Sequence, residues 1–486
     1  MTESRTSRPR SRVRPERLSL AADKSGAITA LFAELATGGA ARIAAFAASV
    51  RLAGLDAGVR HAARRHLLDT VGVMVAGATF DVATRAEAML AAVRGPGAVP
   101  VPGRARRADL LDAAFLGGIA AHGIELDDGY RQGSVHPGAV VVPAALAAGF
   151  LRRASGTAVL EAMVAGYETV IALARACHPG LRLRGFHPTG ACGPFGAAVA
   201  AGRLLGLTPA RLADAVAIAT SSAAGVFAFV GGGADVKRLH AGHAAREGLQ
   251  AALLAAEGVA GPPAAVDGRD GFLQAFADRP TALALPPEAA FGITDCYVKP
   301  WPCCRHLQPA VAAVIGLCRD EDIAPGEVSR IDVDTYRIAA AHAATGWTEF
   351  ASAQLSFPYV MSLALRFRAV RLEHFRDECL KDPAADAVAT RVRVTASPEV
   401  DRLYPQLRPA RVTMTTARGV FTRVADEAPG SRLVPLGDSA LRAKFHHLVA
   451  PVLSAARATA LADLVWDIEA CADVGAVAEA AALPVR

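Results

Sequence analysis

The strongest constraint on the fold is a long run of helical periodicity. Between residues 28 and 277, apolar side chains recur at spacings of three and four, and glycines separate the runs. This spacing predicts about ten helices. Thr208 followed by Pro209 predicts a capped helix start, because threonine accepts a backbone hydrogen bond and proline suits the first turn. No segment of this part reads as a convincing strand, so the pattern predicts helices packed on helices.

The periodicity changes near residue 291. Apolar and polar residues then alternate in several short segments, which is typical of half-buried strands. The last two strands are joined through Ala417, Arg418 and Gly419, which indicates a hairpin. The predicted strands are 330–336, 390–396, 410–416 and 420–422, with helices at 308–319 and 352–367 between them.

From Ser439 onward the helical period returns. The simplest architecture is therefore a mainly α fold with an inserted unit. Residues 26–293 and 437–486 are expected to form one all-helical domain from both chain ends. Residues 294–436 are expected to form an inserted α+β lid domain. A cleft between two such units is the usual place for a small-molecule site.

Composition supports a large folded protein. The chain has 486 residues, of which 52% are hydrophobic and 20% charged, with a mean hydropathy of +0.29. That length exceeds one ordinary core, and that composition is not disordered. The exception is residues 1–25, a Ser/Arg/Pro-rich segment without apolar periodicity, which we predict to be a disordered basic tail.

Charge and apolar runs limit the partners and the location. The net charge of +6 owes much to the tail, and the remainder is nearly balanced, so no nucleic-acid-binding surface is predicted. The longest apolar run, Ala139 to Leu151, contains Pro143 and is too short to span a membrane. No secretory signal is recognisable. Eight cysteines without a CxxC spacing fit reduced thiols, and we predict a cytoplasmic protein.

Lysine is rare, and one lysine sits beside two histidines. Only five of the 52 cationic residues are lysine, yet Lys237 precedes His240 and His243 by about one turn. Six of the thirteen histidines fall in short Gly/Pro-punctuated segments, where helix ends can hold side chains at a cleft. These six are His122, His136, His187, His240, His243 and His306.

Metal and nucleotide chemistry are not favoured. His240 and His243 could ligate a metal from one helix, but no acidic residue completes an HExxH pattern. Cys303 and Cys304 are adjacent, so their side chains diverge, and no second pair follows. The sequence also lacks GxSxG, a GxxxxGK[ST] phosphate loop and GxGxxG after a strand. We therefore predict no metal and no cofactor.

The remaining inventory is a set of cations near a set of acids. Lys237, Lys299 and Arg305 could converge on a small polyanion, and Glu125, Asp127 and Asp128 supply carboxylates. Removing a proton next to a carboxylate requires cations that stabilise the enediolate and a positioned base. Lysine suits this task because its ammonium is compact and its pKa shifts readily on burial.

Five segments, in this order along the chain, resemble the MmgE/PrpD family. That family includes 2-methylcitrate dehydratase, cis-aconitate decarboxylase and iminodisuccinate epimerase. The resemblance spans about residues 30–480. The segments are GIELDDGYRQGSVHPGAVVVPAALA, GFHPTGACGPFGAAVAAGRLLGLTPARLADAVAIA, GADVKRLHAGHAAREG, YVKPWPCCRHLQPAV and SAQLSFPYVMSLAL.

The resemblance implies a helical domain built from both termini with an α+β lid, a homodimer, and no metal or organic cofactor. It implies roles for individual residues where the motifs match. His136 and His187 resemble the family's catalytic histidines, Lys237 resembles a substrate-contacting lysine with His240 beside it, Lys299 resembles a cation supplied by the lid, and Arg305 and His306 resemble the common CCRH pattern.

Two positions depart from the family pattern. The family usually has an Asp-x-Asp/Asn-Asp-Thr run where this chain has Glu125 to Gly129. Glu125 is one methylene longer than aspartate, and Gly129 lacks the hydroxyl of threonine. The loop to His136 also looks one residue longer than in the decarboxylases. A site that moves a carboxylate and loses a hydrogen-bond donor is expected to take a different substrate.

The sequence thus predicts a cofactor-independent lyase that acts on a small di- or tricarboxylate, or a related polar acid, with dehydration by β-elimination first. Decarboxylation and epimerisation share the same carbanion and stay open, as does a non-catalytic metabolite-binding role. The predicted catalytic residues are His136, His187, Lys237, Glu125 and Asp128, and the predicted substrate-binding residues are Lys299, Arg305, His306, His240 and Gly129.

Overall fold

The structure is a computed structural model that describes residues 38–231, 235–278, 280–404 and 406–484. The predicted basic tail, residues 1–25, lies outside the described residues. Most described residues belong to helices, and the strands form one small sheet. The chain is therefore mainly α, as the periodicity predicts.

The elements are numbered in chain order. The helices are α1 (Gly39–Ser49), α2 (Ala57–Gly77), α3 (Asp81–Val93), α4 (Leu110–His122), α5 (Gly138–Arg152), α6 (Gly156–Cys177), α7 (Gly180–Leu183), α8 (Pro188–Leu205), α9 (Pro209–Ala219), α10 (Val236–Ala256), α11 (Phe272–Phe276), α12 (Gln308–Asp320), α13 (Arg337–Ala340), α14 (Phe350–Ala353), α15 (Phe357–Phe367), α16 (Asp377–Leu380), α17 (Pro383–Ala389), α18 (Pro398–Asp401), α19 (Asp438–Leu453), α20 (Ala455–Trp466) and α21 (Gly475–Ala481). The strands are β1 (Val328–Thr335), β2 (Val392–Ala396), β3 (Ala410–Thr416) and β4 (Gly419–Ala425).

Helix α10 is the central element of the helical part. It packs against α8 and α4, and small residues let the backbones approach closely. A Cβ added at Gly242 of α10 would lie 2.6 Å from the Phe115 carbonyl oxygen, and one at Gly118 would lie 2.7 Å from the Ala241 carbonyl oxygen. Only glycine fits at such a crossing. This close approach carries the first turn of α10, which holds Lys237, to the C-terminal end of α4.

The sheet has the order β2-β1-β3-β4. Strands β1 and β2 are parallel, with Val333 beside Val394, and β1 and β3 are antiparallel, with Val333 beside Val412. Strands β3 and β4 form the predicted hairpin, in which Thr416 pairs with Gly419. Helix α12 packs on β3 and β4. The four predicted strands are thereby confirmed, with β4 longer than expected.

One predicted helix is wrong in its extent. Residues 352–367 do not form a single helix, because the chain leaves helical geometry between α14 and α15. At the break, the buried Gln354 side chain donates two hydrogen bonds of 2.9 Å to the Ile124 and Pro302 carbonyl oxygens. Ser356 then caps α15 by accepting from the Tyr359 amide. The break allows Gln354 to bond to residues that are remote in sequence, and the periodicity of a segment cannot indicate such contacts.

The buried apolar side chains form two large clusters. One joins residues between 40 and 298 with residues 441–481, and the other contains residues between 303 and 414. Both chain ends of the described part thus contribute to one core. The predicted domain boundaries near 293 and 437 stay a proposal.

Helix α6 has the length and composition of a membrane span, which the sequence analysis did not register. Its most apolar 18-residue window has a mean hydropathy of 1.4, but 83% of that window is buried inside the fold. It packs against α8 and α5. A core helix of a globular protein has these properties. The cytoplasmic location stays a prediction.

Candidate active site

The site is built on the loop that joins α4 to α5. This loop follows His122 at the end of α4 and carries Glu125, Asp127 and Asp128, all at most 6% exposed. Glu125 has a left-handed φ of 54°, a conformation that non-glycine side chains rarely adopt. Such strain is typical of residues that the surrounding structure holds for function.

Asp128 anchors the loop from behind. Its Oδ1 accepts a 3.0 Å hydrogen bond from the Gly138 amide at the start of α5, where a helix N-terminus favours negative charge. Its Oδ2 accepts a 2.8 Å bond from the Tyr167 hydroxyl and lies 3.0 Å from His66 Nδ1. With both oxygens engaged and no exposure, Asp128 is placed as a support for the loop.

Two lysines converge on Glu125 from distant parts of the chain. Lys237, in the first turn of α10, pairs with Glu125 Oε1. Lys299 follows the short 3-10 helix Gly292–Asp295, and its Nζ lies 3.1 Å from Glu125 Oε2 and 3.4 Å from Asp127 Oδ1. Lys299 is 1% exposed, whereas the Lys237 side chain is 16% exposed. Lys237 is thus the more accessible of the two ammonium groups.

These contacts keep the Glu125 and Asp127 carboxylates and the Lys299 ammonium charged. Burial alone would raise the pKa of Glu125, but Lys237 and Lys299 hold that pKa well below its usual range. Burial would also raise the pKa of Asp127, but His136, His122 and Lys299 hold it low. Burial opposes the charged form of Lys299, and the two carboxylates overcome it and raise its pKa.

Asp127 also orients two histidines. It accepts a 2.6 Å hydrogen bond from His122 Nδ1, and its Oδ2 lies 3.0 Å from His136 Nδ1. His136 Nδ1 is 2.6 Å from the Asp128 carbonyl oxygen as well. Because each Nδ1 faces acceptors, Nε2 is the nitrogen left to take up a proton. Burial lowers the pKa of His122 to about 4, so this ring is neutral at physiological pH.

A second histidine pair lies against the first. His187, the residue before α8, has its Nδ1 3.0 Å from His240 Nδ1 of α10. The His187 and His122 rings stack with their centroids 5.6 Å apart. Burial, followed by the charges of neighbouring groups, lowers the pKa of His187 well below its usual value and lowers that of His240. Both rings are therefore neutral bases near pH 7.

The structure explains why glycine, rather than a residue with a side chain, stands at position 129. Its backbone pairs with Tyr297 through hydrogen bonds of 3.1 and 2.8 Å. A Cβ at Gly129 would lie 2.3 Å from the Tyr297 hydroxyl oxygen. The space that a threonine side chain would need is filled by a phenol, whose ring packs edge-on to His136 with centroids 6.5 Å apart. A hydroxyl is thus still present beside the histidine–lysine cluster, but Tyr297 supplies it.

The structure brings together seven of the ten predicted residues in one cluster, while three lie at its edge or outside it. Glu125, His136, His187, Lys237, His240, Lys299 and Asp128 share the contacts above. Gly129 borders the cluster through Tyr297. Arg305 places its guanidinium 4.6 Å from the Tyr297 ring centroid and donates to the Ala428 and Pro429 carbonyl oxygens. His306 lies apart, with its Nδ1 2.5 Å from the Tyr336 hydroxyl.

Sequence reasoning assigned no role to four residues that matter here. His122 and Asp127 were noticed only as members of larger sets. Tyr297 opens the YVKPWPCCRH segment, but no role was assigned to it. Lys444 of α19 donates 2.6 and 2.9 Å bonds to Asp69 and to the Leu126 carbonyl oxygen. Three of the five lysines therefore contact residues 125–127, so the rarity of lysine was a usable signal.

One subset of the cluster has the geometry of a metal site. The ligand atoms of His122, Asp127 and His136 lie within 4.8 Å of one another. These atoms already satisfy one another by hydrogen bonding, and the Lys299 ammonium lies 3.4 Å from the same carboxylate. A further cation there would meet an existing positive charge. The prediction that no metal takes part stays a prediction.

The arrangement defines a class of protein. Neutral, buried histidines, two lysines and fixed carboxylates meet where the helical part contacts the segment carrying Lys299. Side chains of these types in contact can transfer protons and hold negative charge, as acid–base enzymes require. Comparison with known proteins identifies the family. Residues 41–283 match the MmgE/PrpD N-terminal domain, and residues 301–468 match the MmgE/PrpD C-terminal domain. The chain belongs to the MmgE/PrpD family, and it is an enzyme of that family.

The chain is also similar to individual curated proteins over most of its length. The chain is 27% identical over 451 residues to the cis-aconitate decarboxylase-like protein oryM of Aspergillus oryzae, which covers 86% of this chain and 92% of that protein. It is 25% identical over 481 residues to a cis-aconitate decarboxylase of Aspergillus terreus, covering 93% and 97%. It is 34% identical over 184 residues to the cis-aconitate decarboxylase of Homo sapiens, covering 37% of each chain.

Proposed function

We propose that this enzyme is a cofactor-independent lyase that acts on a small di- or tricarboxylate, or a related polar acid, through an enediolate. The observation that carries the proposal is the convergence of Lys237 and Lys299 on Glu125, beside histidines that burial keeps neutral. Two ammonium groups can stabilise the negative charge that develops on a carboxylate when the adjacent carbon loses a proton.

The proton transfers are assigned to histidines. His187 is the proposed base, because burial and neighbouring cations keep its imidazole unprotonated and ready to accept a proton. His136 is the proposed acid, since Asp127 and the Asp128 carbonyl oxygen fix its Nδ1 and leave Nε2 for transfer. Lys237 is the proposed first contact of the substrate carboxylate, because its side chain is more accessible than that of Lys299.

Dehydration is the first proposed outcome. In it, the base removes the proton next to a carboxylate, the electron pair forms the new double bond, and the β-hydroxyl leaves as water after protonation by the acid. Decarboxylation is the second candidate, because the relatives are named cis-aconitate decarboxylases. In it, carbon dioxide leaves, the same lysines stabilise the resulting carbanion, and a histidine protonates it.

A panel of small di- and tricarboxylic acids tests the proposal. Each acid is incubated with purified enzyme, and proton NMR is combined with measurement of released carbon dioxide. New alkene signals without carbon dioxide identify the dehydratase, and release of one carbon dioxide per turnover identifies the decarboxylase. Lys237→Met should abolish either signal, and Lys381→Met, an exposed lysine on the lid, should not. A Lys237→Met variant with wild-type turnover contradicts the proposal.

The remaining expectations are proposals with simple tests. Dialysis against a strong chelator is expected to leave turnover unchanged, since the lysines supply the positive charge. Light scattering coupled to gel filtration is expected to give twice the mass of one chain. A loss of turnover that added divalent metal restores would refute the first expectation, and a monomeric mass would refute the second.

A further inference from the structure

A polar cavity lies next to the histidine–lysine cluster. It has a volume of about 210 Å³ and lies where residues 130–132 of the helical part meet residues 295–297 and later residues of the predicted lid. The lining side chains that matter here are Tyr297, Arg131, Arg305, Arg408, Arg432 and Glu427. Its volume suits a small polar group of a ligand and is too small for a nucleotide.

The cavity carries an excess of positive charge. Four arginines line it against two acids, Asp295 and Glu427. Arg131 pairs with Glu427 at 2.6 Å, and Arg432 pairs with Asp295 at 3.0 Å. Arg305 lies 3.6 Å from the Glu427 carboxylate and also donates to the Gln308 side-chain oxygen and to the Ala428 and Pro429 carbonyl oxygens. The carboxylates of Asp295 and Glu427 therefore already pair with the guanidinium groups of Arg131, Arg305 and Arg432.

Arg408 is the lining arginine to which the described residues give no ionic partner. It is 5% exposed, and its Nε is buried with no hydrogen-bond partner. Among the residues that the structure describes, no carboxylate lies within 4.0 Å of its guanidinium and none accepts a hydrogen bond from it. Leaving a charge buried and unpaired is costly, so a buried arginine of this kind usually has an anionic partner.

Tyr297 connects the cavity to the histidine–lysine cluster. One side of its ring faces the Arg305 guanidinium, and its edge meets the His136 ring. Its hydroxyl occupies the space left by the missing side chain of Gly129. Tyr297 thus contacts both the histidine–lysine cluster and the arginines of the cavity.

We propose that this cavity is a subsite for a second carboxylate of the substrate, with Arg408 as its ionic partner and the Tyr297 hydroxyl as a hydrogen-bond donor. The proposal rests on the proposed function for the location of the reacting carboxylate. It assigns the substrate class more narrowly: the substrate carries an anionic group at the end remote from the reacting carbon. In this chain the hydrogen-bond donor to the substrate is then the Tyr297 hydroxyl in the cavity wall, whereas the family pattern has a threonine hydroxyl at position 129 in the loop. This difference would determine substrate specificity.

Calorimetric titration with tricarballylate, an unreactive tricarboxylate, tests the subsite. Arg408→Gln is expected to weaken binding at least tenfold, because a charge-assisted hydrogen bond is lost. The affinity of Arg408→Lys for tricarballylate should lie between those of the wild type and Arg408→Gln. The control Arg393→Gln removes an exposed arginine of β2 and should bind like the wild type. A wild-type protein that does not bind tricarballylate, or an Arg408→Gln variant that binds it equally well, overturns the proposal.

Two further readouts separate the possible failures. If inorganic phosphate at matched ionic strength raises the thermal midpoint as much as tricarballylate does, the cavity is a general anion site and the substrate assignment is wrong. In the ligand-free protein, Arg408→Met should not lower the midpoint, since an unpaired buried charge is removed; a clear fall would show a structural role. If Arg408→Gln weakens tricarballylate binding while no acid of the panel is turned over, the subsite holds and the proposed chemistry fails.

Discussion

Replacement of Lys299 by methionine is the most informative single change in the cluster. Methionine keeps most of the apolar stem and removes the charge. The Lys299 ammonium lies 3.1 Å from Glu125 and 3.4 Å from Asp127, and the residue is 1% exposed, so solvent hardly screens these contacts. Removing one partner of such a buried pair leaves an uncompensated charge and costs about 3–5 kcal/mol of the free energy of unfolding.

The pH dependence of this loss has a definite sign. Lys299 has a raised pKa in the folded state, so its contribution is complete below its unfolded pKa of about 10.4 and is lost as the pH rises through the folded value. Glu125 has a lowered pKa, so its contribution is complete above its unfolded pKa of about 4.3 and is lost as the pH falls. The difference between wild type and variant should be widest between about pH 5 and 10.

Urea unfolding followed by circular dichroism measures the effect, with Lys381→Met as the matched control. That lysine is exposed, and its replacement should change stability by no more than about 0.5 kcal/mol. The double variant of Lys299→Met and Glu125→Gln should lose less than the sum of the single losses by at least about 1 kcal/mol, because both variants remove the same pair. Equal midpoints for Lys299→Met and Lys381→Met, or strict additivity in the double variant, would refute this reasoning.

Three further predictions concern the remaining site residues. Because the pKa of His187 is lowered, the acid limb of kcat/KM should have its midpoint below pH 6.5, and a midpoint at or above 6.5 would speak against His187 as the base. Gly129→Ala should cost about 1–3 kcal/mol of stability and reduce kcat/KM, since its Cβ would meet the facing tyrosine hydroxyl at 2.3 Å, whereas Gly54→Ala meets nothing within 4 Å and should be neutral in thermal melts. Asp127→Asn should lower kcat at least about 100-fold, and Asp128→Asn should mainly lower the urea midpoint; the opposite pattern would reverse their assigned roles.

The helices and the hairpin follow from local rules, and the sequence predicts them well. Apolar residues recur with a period of 3.6 in a helix and 2 in a strand because one face of each element is buried. The spacing of apolar residues within a short segment is therefore enough to predict the element. The single predicted helix over 352–367 fails because Gln354 leaves the helix to bond Ile124 and Pro302, which are remote in sequence. A contact of that kind has no local signature.

The same distinction applies to the site. Rare lysines, loop histidines and the family motifs point to Glu125, Lys237 and Lys299, although 112 and 174 residues separate the glutamate from its two partners. The pattern could not indicate that Tyr297 fills the space beside Gly129, nor that Arg408 is buried with no carboxylate of the described residues within 4.0 Å. Both facts arise from tertiary packing between residues that are remote in sequence.

Deuterium incorporation tests the central claim most directly, because an enediolate or related carbanion must exchange protons with the site. The enzyme is incubated in D2O with the acid that the panel identifies as its substrate, beside Lys237→Met and Lys381→Met, and substrate and product are examined by proton NMR and mass spectrometry. A decarboxylase must place a solvent deuteron at the carbanion carbon of its product, and a dehydratase must place one at that carbon when it runs in reverse and hydrates its alkene product, so a dehydratase is given that alkene in place of the substrate. The account predicts deuterium at this carbon for wild type and Lys381→Met, and none for Lys237→Met. Product of these reactions without deuterium at that carbon, or equal incorporation by Lys237→Met, would contradict it.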